Sequence, residues 1–170
     1  MKRIDSGAVH IRLSTPDDHE ELRSLVGELH DVVSQYDPDL AQTAEILDAY
    51  YQYILRTQHE SQGVTFVAEE KGGLVGYVAL FGLVAAKDVD ELPDKFTVVS
   101  DLYVRPGAQR SGIGARLLAR AEEYSRQLGA AKLELNVLAR NRAAIEFYRR
   151  QAYSERVVTM VKRFNRPGDR

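Results

Sequence analysis

Apolar and polar residues alternate from Val9 to Leu13 (V-H-I-R-L), the period-two mark of a short strand. The spacing then turns helical. Thr15 can cap a helix, Pro16 suits its first position, and Asp17 and Asp18 favour the positive end of its dipole. Leu22, Leu25, Val26, Leu29 and Val33 give that helix one apolar face, running to about Gln35. Tyr36-Asp37-Pro38-Asp39 breaks it, and a second helix follows from Ala44 to Gln58 with Ile46, Leu47, Tyr50, Tyr51, Ile54 and Leu55 inward. After Gly63 the strand period returns: V-T-F-V-A-E is a strand, E-K-G-G a hairpin turn and L-V-G-Y-V-A-L-F-G-L-V a longer strand. Ala85 to Lys95 is a polar loop carrying Asp88, Asp90, Glu91 and Asp94. Phe96 to Val104 is a strand interrupted in character by Ser100-Asp101. The segment R-P-G-A-Q-R-S-G-I-G opens a helix to about Leu128, whose inner face is Ile113, Leu117, Leu118, Ala121, Tyr124 and Leu128. Lys132 to Val137 is predicted as a strand, Asn141 to Gln151 as a helix and Val157 to Phe164 as a last strand. The order predicts one α/β layered domain over residues 9–164, with residues 1–8 and 165–170 as flexible ends.

Composition narrows this little. The chain has 170 residues, 44% hydrophobic and 28% charged, with a formal net charge of −2. That is one ordinary globular domain. The missing basic surplus argues against a nucleic-acid binder, because neutralising many phosphates needs one. There is no cysteine, which removes disulfides, thiolate metal sites and thiol nucleophiles together and fits a reducing cytoplasm. His10, His19, His30 and His59 have no metal-ligand spacing, so no metal is expected. No leader is evident at the N-terminus and no apolar run approaches a membrane span, so no membrane is expected.

The segment V-R-P-G-A-Q-R-S-G-I-G-A, Val104 to Ala115, carries the candidate chemistry. Small residues at Gly107, Ala108, Ser111, Gly112 and Gly114 let backbone amides approach a ligand. The first amides of a helix lack internal partners and sit at its positive end, a ready site for a phosphate or pyrophosphate. Arg105, Arg110, Arg116 and Arg120 add cations nearby. A nucleoside-triphosphate loop would need lysine where Ile113 stands and a hydroxyl where Gly114 stands. A dinucleotide fingerprint from Gly112 would need glycine at Leu117. The remaining alternative is a tight turn whose glycines only make a good helix entry.

Q109-R-S-G-I-G114 resembles the Gln/Arg-x-x-Gly-x-Gly pattern of the GNAT N-acetyltransferase superfamily, and it follows a strand ending D-L-Y-V-R-P as in that family. The string N-R-A-A-I-E-F-Y-R-R-Q-A-Y, from Asn141, resembles the family's Asn-x-x-Ala-x-x-Phe-Tyr helix, and V-T-M-V-K-R-F its closing strand. With the A-E-E-K-G-G-L-V-G-Y-V hairpin, the resemblance spans about residues 9 to 164. It implies a mixed, centrally splayed sheet of about six to seven strands flanked by about four helices. It also implies acetyl-coenzyme A as co-substrate, with its pyrophosphate on Gln109, Arg110, Ser111, Gly112, Ile113, Gly114 and Ala115. The pantetheine arm would run along Leu102, Tyr103 and Val104 like an added strand.

Asn141 and Tyr148 stand two helical turns apart and can face the same gap. By resemblance, Asn141 would bond the cofactor arm and Tyr148 would sit beside the sulfur. A phenol with an unperturbed pKa of ~10 stays protonated beside a thiol of ~8.5 and can stabilise the departing thiolate. Core packing is the alternative for Tyr148, and an N-cap for Asn141. The attacking amine must lose a proton, and Asp101 is the candidate base, with Glu134 or a water path as substitutes. Arg110 stands where the family frequently has glycine. The implied activity is direct acetyl transfer to a primary amine, of a small molecule or a protein, in a ternary complex, with a homodimer compatible. A non-catalytic acyl-coenzyme A sensor is the alternative.

Overall fold

A computed structural model describes residues 8–85 and 94–164. Five strands, β1 (His10–Leu13), β2 (Val64–Glu70), β3 (Gly73–Ala85), β4 (Lys95–Val104) and β5 (Leu133–Leu135), lie side by side in chain order. The first four pair antiparallel and β5 runs parallel to β4, so the sheet is mixed. Four helices flank it: α1 (His19–Val33), α2 (Thr43–Ser61), α3 (Ile113–Gln127) and α4 (Arg142–Arg150).

The two faces of β3 explain the layering. Leu74, Tyr77, Ala79 and Phe81 join a core with Leu22, Leu25 and Val26 of α1 and Tyr51 and Ile54 of α2. Val78 and Leu80 point the other way, into a core with Ile113, Leu117, Leu118 and Ala121 of α3. A strand buried on both sides reads as the near-continuous apolar run seen in the sequence. Arg12 of β1 fastens the first helix entry, donating to the Asp18 carboxylate at 2.7 and 2.8 Å and to Glu69 at 2.7 Å. That guanidinium, with help from the Thr15 amide, holds the Asp18 carboxyl well below the usual carboxylate range.

Three expectations are corrected. The sheet of the described residues has five strands rather than six or seven. The strand expected over residues 132–137 pairs only at Leu133–Leu135, because the chain then turns away from β4. Residues 157–164, expected as the closing strand, join no sheet ladder and are exposed throughout. A strand is defined by a partner edge, which local composition does not supply. The helix foreseen from Pro16 begins with a 3-10 turn, Pro16–Asp18, before α1. Residues 88, 90 and 91 of the acidic loop lie outside the described residues, as do the ends 1–7 and 165–170.

Candidate active site

β4 and β5 are paired only from Thr97↔Leu133 to Val99↔Leu135. Beyond Val99 the two chains part, and the wedge between them is a cavity of about 210 Å³. Its sheet wall is Val99, Ser100, Asp101 and Leu102, its opposite wall Leu135 to Leu138, and α4 contributes Ala144 and Tyr148 beside the cap residue Asn141. His30 of α1 and Tyr50 of α2 close the far end.

A β-bulge aims the acid. Ala79 pairs with Asp101 but Leu80 pairs with Val99, so Ser100 is an extra residue on β4. Strand side chains alternate faces, and one inserted residue reverses the alternation beyond it. Val99 therefore packs on the α3 side, whereas Asp101 turns toward α2. The carboxylate is 7% exposed and accepts from the Tyr50 hydroxyl at 2.9 Å and the Ser100 hydroxyl at 3.2 Å. Burial pushes its pKa up to about 6, against those two hydrogen bonds, which act to lower it. Tyr148 is half-buried, and burial, then the Asp101 charge, push its phenol up to about 12. Tyr50 is raised further by the same two causes in the same order. Sequence spacing placed Tyr50 in the core; only its packing across the sheet makes it a partner of Asp101.

After β4 ends at Val104, Arg105 leads into a 3-10 turn at Pro106–Ala108, and α3 begins at Ile113. Arg110 has φ +60° and Gly112 φ +83°. The left-handed backbone at position 110 gives a physical reason for a glycine preference there, since only glycine adopts it without a Cβ penalty. Among the described residues, the amides of residues 110–115 donate no hydrogen bond within the protein; the ladder of α3 starts with the Arg116 amide on the Gly112 carbonyl at 3.1 Å. A Cβ at Gly107 or Gly112 would meet no atom within 4 Å, so the turn is open at these two positions. Unpartnered amides at a helix start suit an anionic group, and β4 joins this turn to the stretch Val99 to Leu102 that lines the cleft.

The side chains divide. Gln109 donates to the Val104 carbonyl at 2.9 Å and ties the turn to β4, and the Ser111 hydroxyl donates to the Ala108 carbonyl at 2.6 Å. Arg105 is engaged with Glu28 at 2.8 Å and Glu21 at 3.2 Å, holding α1 against the sheet. Arg116 donates to the Val9 carbonyl and Arg120 pairs with Glu123. Arg110 makes no such contact among the described residues and is the cation left at the turn. Ile113 is buried beneath the turn, whereas a Cβ on Gly114 would touch Phe147 at 3.5 Å, an ordinary contact. Tyr103 points to the α1 side and donates to Glu28 at 3.3 Å, while Leu102 and Val104 pack on the α3 side. Asn141 caps α4, accepting from the Ala144 amide at 3.1 Å, and still lines the cleft. Glu134 does not line it and is paired with Lys132 at 2.6 Å and Arg156 at 3.4 Å. Among the described residues no group of three or more His, Cys, Asp or Glu could hold a metal ion. No helix among them is long and apolar enough to cross a membrane.

Comparison with known proteins places this architecture in a family. Residues 26–153 match the sequence profile of the acetyltransferase (GNAT) family. The chain belongs to that family. It is 34% identical over 97 residues to YhfO of Bacillus subtilis, an uncharacterized N-acetyltransferase, covering 57% of this chain and 61% of that one. It is 35% identical over 92 residues to the aminoalkylphosphonate N-acetyltransferase of Salmonella typhimurium, covering 52% and 55% respectively. The match to an uncharacterized N-acetyltransferase of Methanocaldococcus jannaschii covers 50% of that protein, so the chain spans between about half and three fifths of these relatives. Among solved structures, a GCN5-related N-acetyltransferase from Ralstonia eutropha superposes with TM-score 0.73 at 22% identity, covering 92% of this chain and 99% of that one. AAC(6')-Iy, solved with a bisubstrate analogue made of coenzyme A and acetylneamine, superposes with TM-score 0.66 at 18% identity, covering 92% and 99%. These likenesses are of fold.

Substituting Gly112 tests the turn. Gly112→Ala is expected to cost about 1–2 kcal/mol, the left-handed penalty for a residue with a Cβ, read as a lowered urea midpoint. Gly107→Ala, at a position without positive φ and with open space around it, should cost less than half of that.

Proposed function

We propose that the protein transfers acetyl from acetyl-coenzyme A to a primary amine by direct attack, with both substrates bound together. The observation that carries this is a buried, raised-pKa Asp101 and a phenol, Tyr148, lining one cleft beside β4, the strand that leads on into a turn of unpartnered amides. The amides of residues 110–115, with the Arg110 side chain, would hold the pyrophosphate at the positive end of α3. The edge of β4 at Leu102, Tyr103 and Val104, left open by the departure of β5, would pair with the amides of the pantetheine arm. Asn141 would add a side-chain hydrogen bond there.

The thioester supplies an activated acyl group. Two protons must leave the acceptor nitrogen. Asp101 accepts one from the acceptor ammonium, a task suited to a base whose pKa lies near neutrality. The neutral amine so formed attacks the thioester carbonyl; the C–N bond forms, the C–S bond breaks, and the second proton of the amine nitrogen passes to the departing thiolate through solvent. Tyr50 and Ser100 hold its two oxygens in place. Tyr148 donates a hydrogen bond to the departing sulfur. The two groups are coupled, because Asp101 loses its charge on taking the proton and so ceases to raise the Tyr148 pKa. The phenol thereby becomes a better donor as the thiolate forms.

The acceptor is a primary amine of a small molecule or of a protein; the name of the Salmonella relative favours the former. The test is thiol release from acetyl-coenzyme A with aminoalkylphosphonates, polyamines, aminoglycosides and N-terminal peptides as acceptors. The chain has no cysteine, so no protein thiol adds to the signal. Amine-dependent release with at least one class is expected. Cofactor binding without release on every class would reject the proposal.

A further inference from the structure

One face of α1 builds the closed end of the cleft. Val26, Leu29, His30 and Val33 line it at the i, i+3, i+4, i+7 spacing of a single helix side. All but His30 are apolar. His30 is half-buried, with its ring 6.4 Å from that of Tyr50, whose hydroxyl donates to Asp101. An imidazole has two ring nitrogens to satisfy, and α2 meets one of them. His30 Nδ1 lies 2.9 Å from the hydroxyl oxygen of Thr43, the first residue of α2.

These partners decide which nitrogen is protonated. The Thr43 hydroxyl has a single hydrogen, and it goes to the Asp31 carboxylate, which only accepts when ionised. Thr43 must therefore accept from His30. Nδ1 carries the hydrogen and, in the neutral ring, Nε2 carries the lone pair. Nε2 has no hydrogen-bond partner among the described residues. The Tyr50 and Ser100 hydroxyls direct their hydrogens at the Asp101 carboxylate, itself an acceptor. This end of the cleft therefore offers lone pairs and asks for donors. Among the described residues no lysine or arginine lines the cleft, so an anionic substituent would meet a carboxylate and no cation to pair with.

We propose that His30 Nε2 accepts a hydrogen bond from the acceptor molecule and thereby selects its class. The preferred acceptor is a primary amine on a short apolar chain that carries a second donor, an amine or a hydroxyl, and no anionic group. Asp101 takes the reacting ammonium, His30 takes the second donor, and Val26, Leu29 and Val33 face the methylenes. His30 touches the acceptor away from the reacting nitrogen, so it sets specificity, and Asp31 and Thr43 position its ring. The inference rests on the acetyl-transfer reading and names the acceptor for it.

The experiment compares kcat/KM, read as thiol release, for acceptors of like length: an alkyl monoamine, an amino alcohol, a diamine and an aminoalkylphosphonate. The amino alcohol and the diamine are expected to exceed the monoamine by about fivefold to tenfold, the worth of one well-made hydrogen bond. The phosphonate should be the poorest. In His30→Leu the preference for the amino alcohol over the monoamine should fall to about one, while the KM for acetyl-coenzyme A changes little. His30→Gln, whose amide oxygen can accept in place of Nε2, should restore part of the preference. Thr43→Val removes the partner that fixes the tautomer and should weaken the preference, and it carries the test if the histidine variants do not fold. A preference unchanged in His30→Leu or in Thr43→Val overturns the proposal. So does release that shows no preference, or that is fastest with the phosphonate, and each of these leaves acetyl transfer standing. Release with no amine at all overturns both readings.

Discussion

Asp101→Asn is expected to lower kcat by about 10²–10⁴-fold, the usual worth of a positioned general base. Asparagine can keep both contacts, accepting from Tyr50 and donating to Ser100, so the loss would be of proton acceptance rather than of structure. In the unaltered protein, turnover at saturating substrates should fall as pH drops through about 6, because a protonated carboxyl cannot take the amine's proton. That limb should vanish in the variant. Stability should move in the opposite sense. The folded carboxyl titrates at about 6 and an unfolded aspartate at about 3.9, so its contribution is fully present below ~4 and is lost as pH rises through 6. Asp101→Asn should therefore be the more stable protein at pH 8, by about 3 kcal/mol, with the difference closing below pH 4. Urea denaturation at the two pH values measures this. A variant that is both active and no more stable would remove Asp101 from the mechanism. Tyr50→Phe deletes a hydrogen bond that lowers the Asp101 pKa, so the acid limb should shift upward while the turn still binds coenzyme A.

Tyr148→Phe should reduce kcat by about 10²–10³-fold with a small change in the KM for acetyl-coenzyme A, as expected for a group that acts on developing charge rather than in ground-state binding. The phenol is held protonated across the working range, its pKa pushed to about 12, so it should produce no limb near neutrality in the unaltered protein. The ring alone still fills the corner between Phe147 and Tyr153, which its own ring meets at 5.2 and 5.9 Å, so stability should hardly change. Thiol release at saturating amine separates these outcomes. Retained kcat with raised KM would recast Tyr148 as a wall of the cleft.

Much of the fold was legible because it rests on local periodicity. The inner faces of α1, α2 and α3 were read from apolar spacing, since a helix repeats its face every 3.6 residues wherever it packs. The turn into α3 was also legible: glycine at position 112 answers a local backbone demand, and the amides of a helix start are unpartnered whatever surrounds them. Other features needed the assembled sheet. The bulge at Ser100 appears in the sequence only as two polar residues in a strand, and the face to which Asp101 turns follows from its register with Ala79 and Leu80. Tyr50 looked like any core aromatic until α2 was laid over β4. Two arginines near the turn could not be sorted by position, because carboxylates and a carbonyl distant in sequence claim Arg105 and Arg116, whereas the partner of Arg120 is the neighbouring Glu123. Residues 157–164 are the clearest case. Their composition specified a strand, but pairing is a relation between two edges. This sequence therefore determined its helices, its apolar strands and its turn of unpartnered amides, where the forces act between near neighbours. The tertiary structure alone decided which acid is buried, which phenols surround it and which edge remains open, because those depend on groups that meet only after the chain has folded.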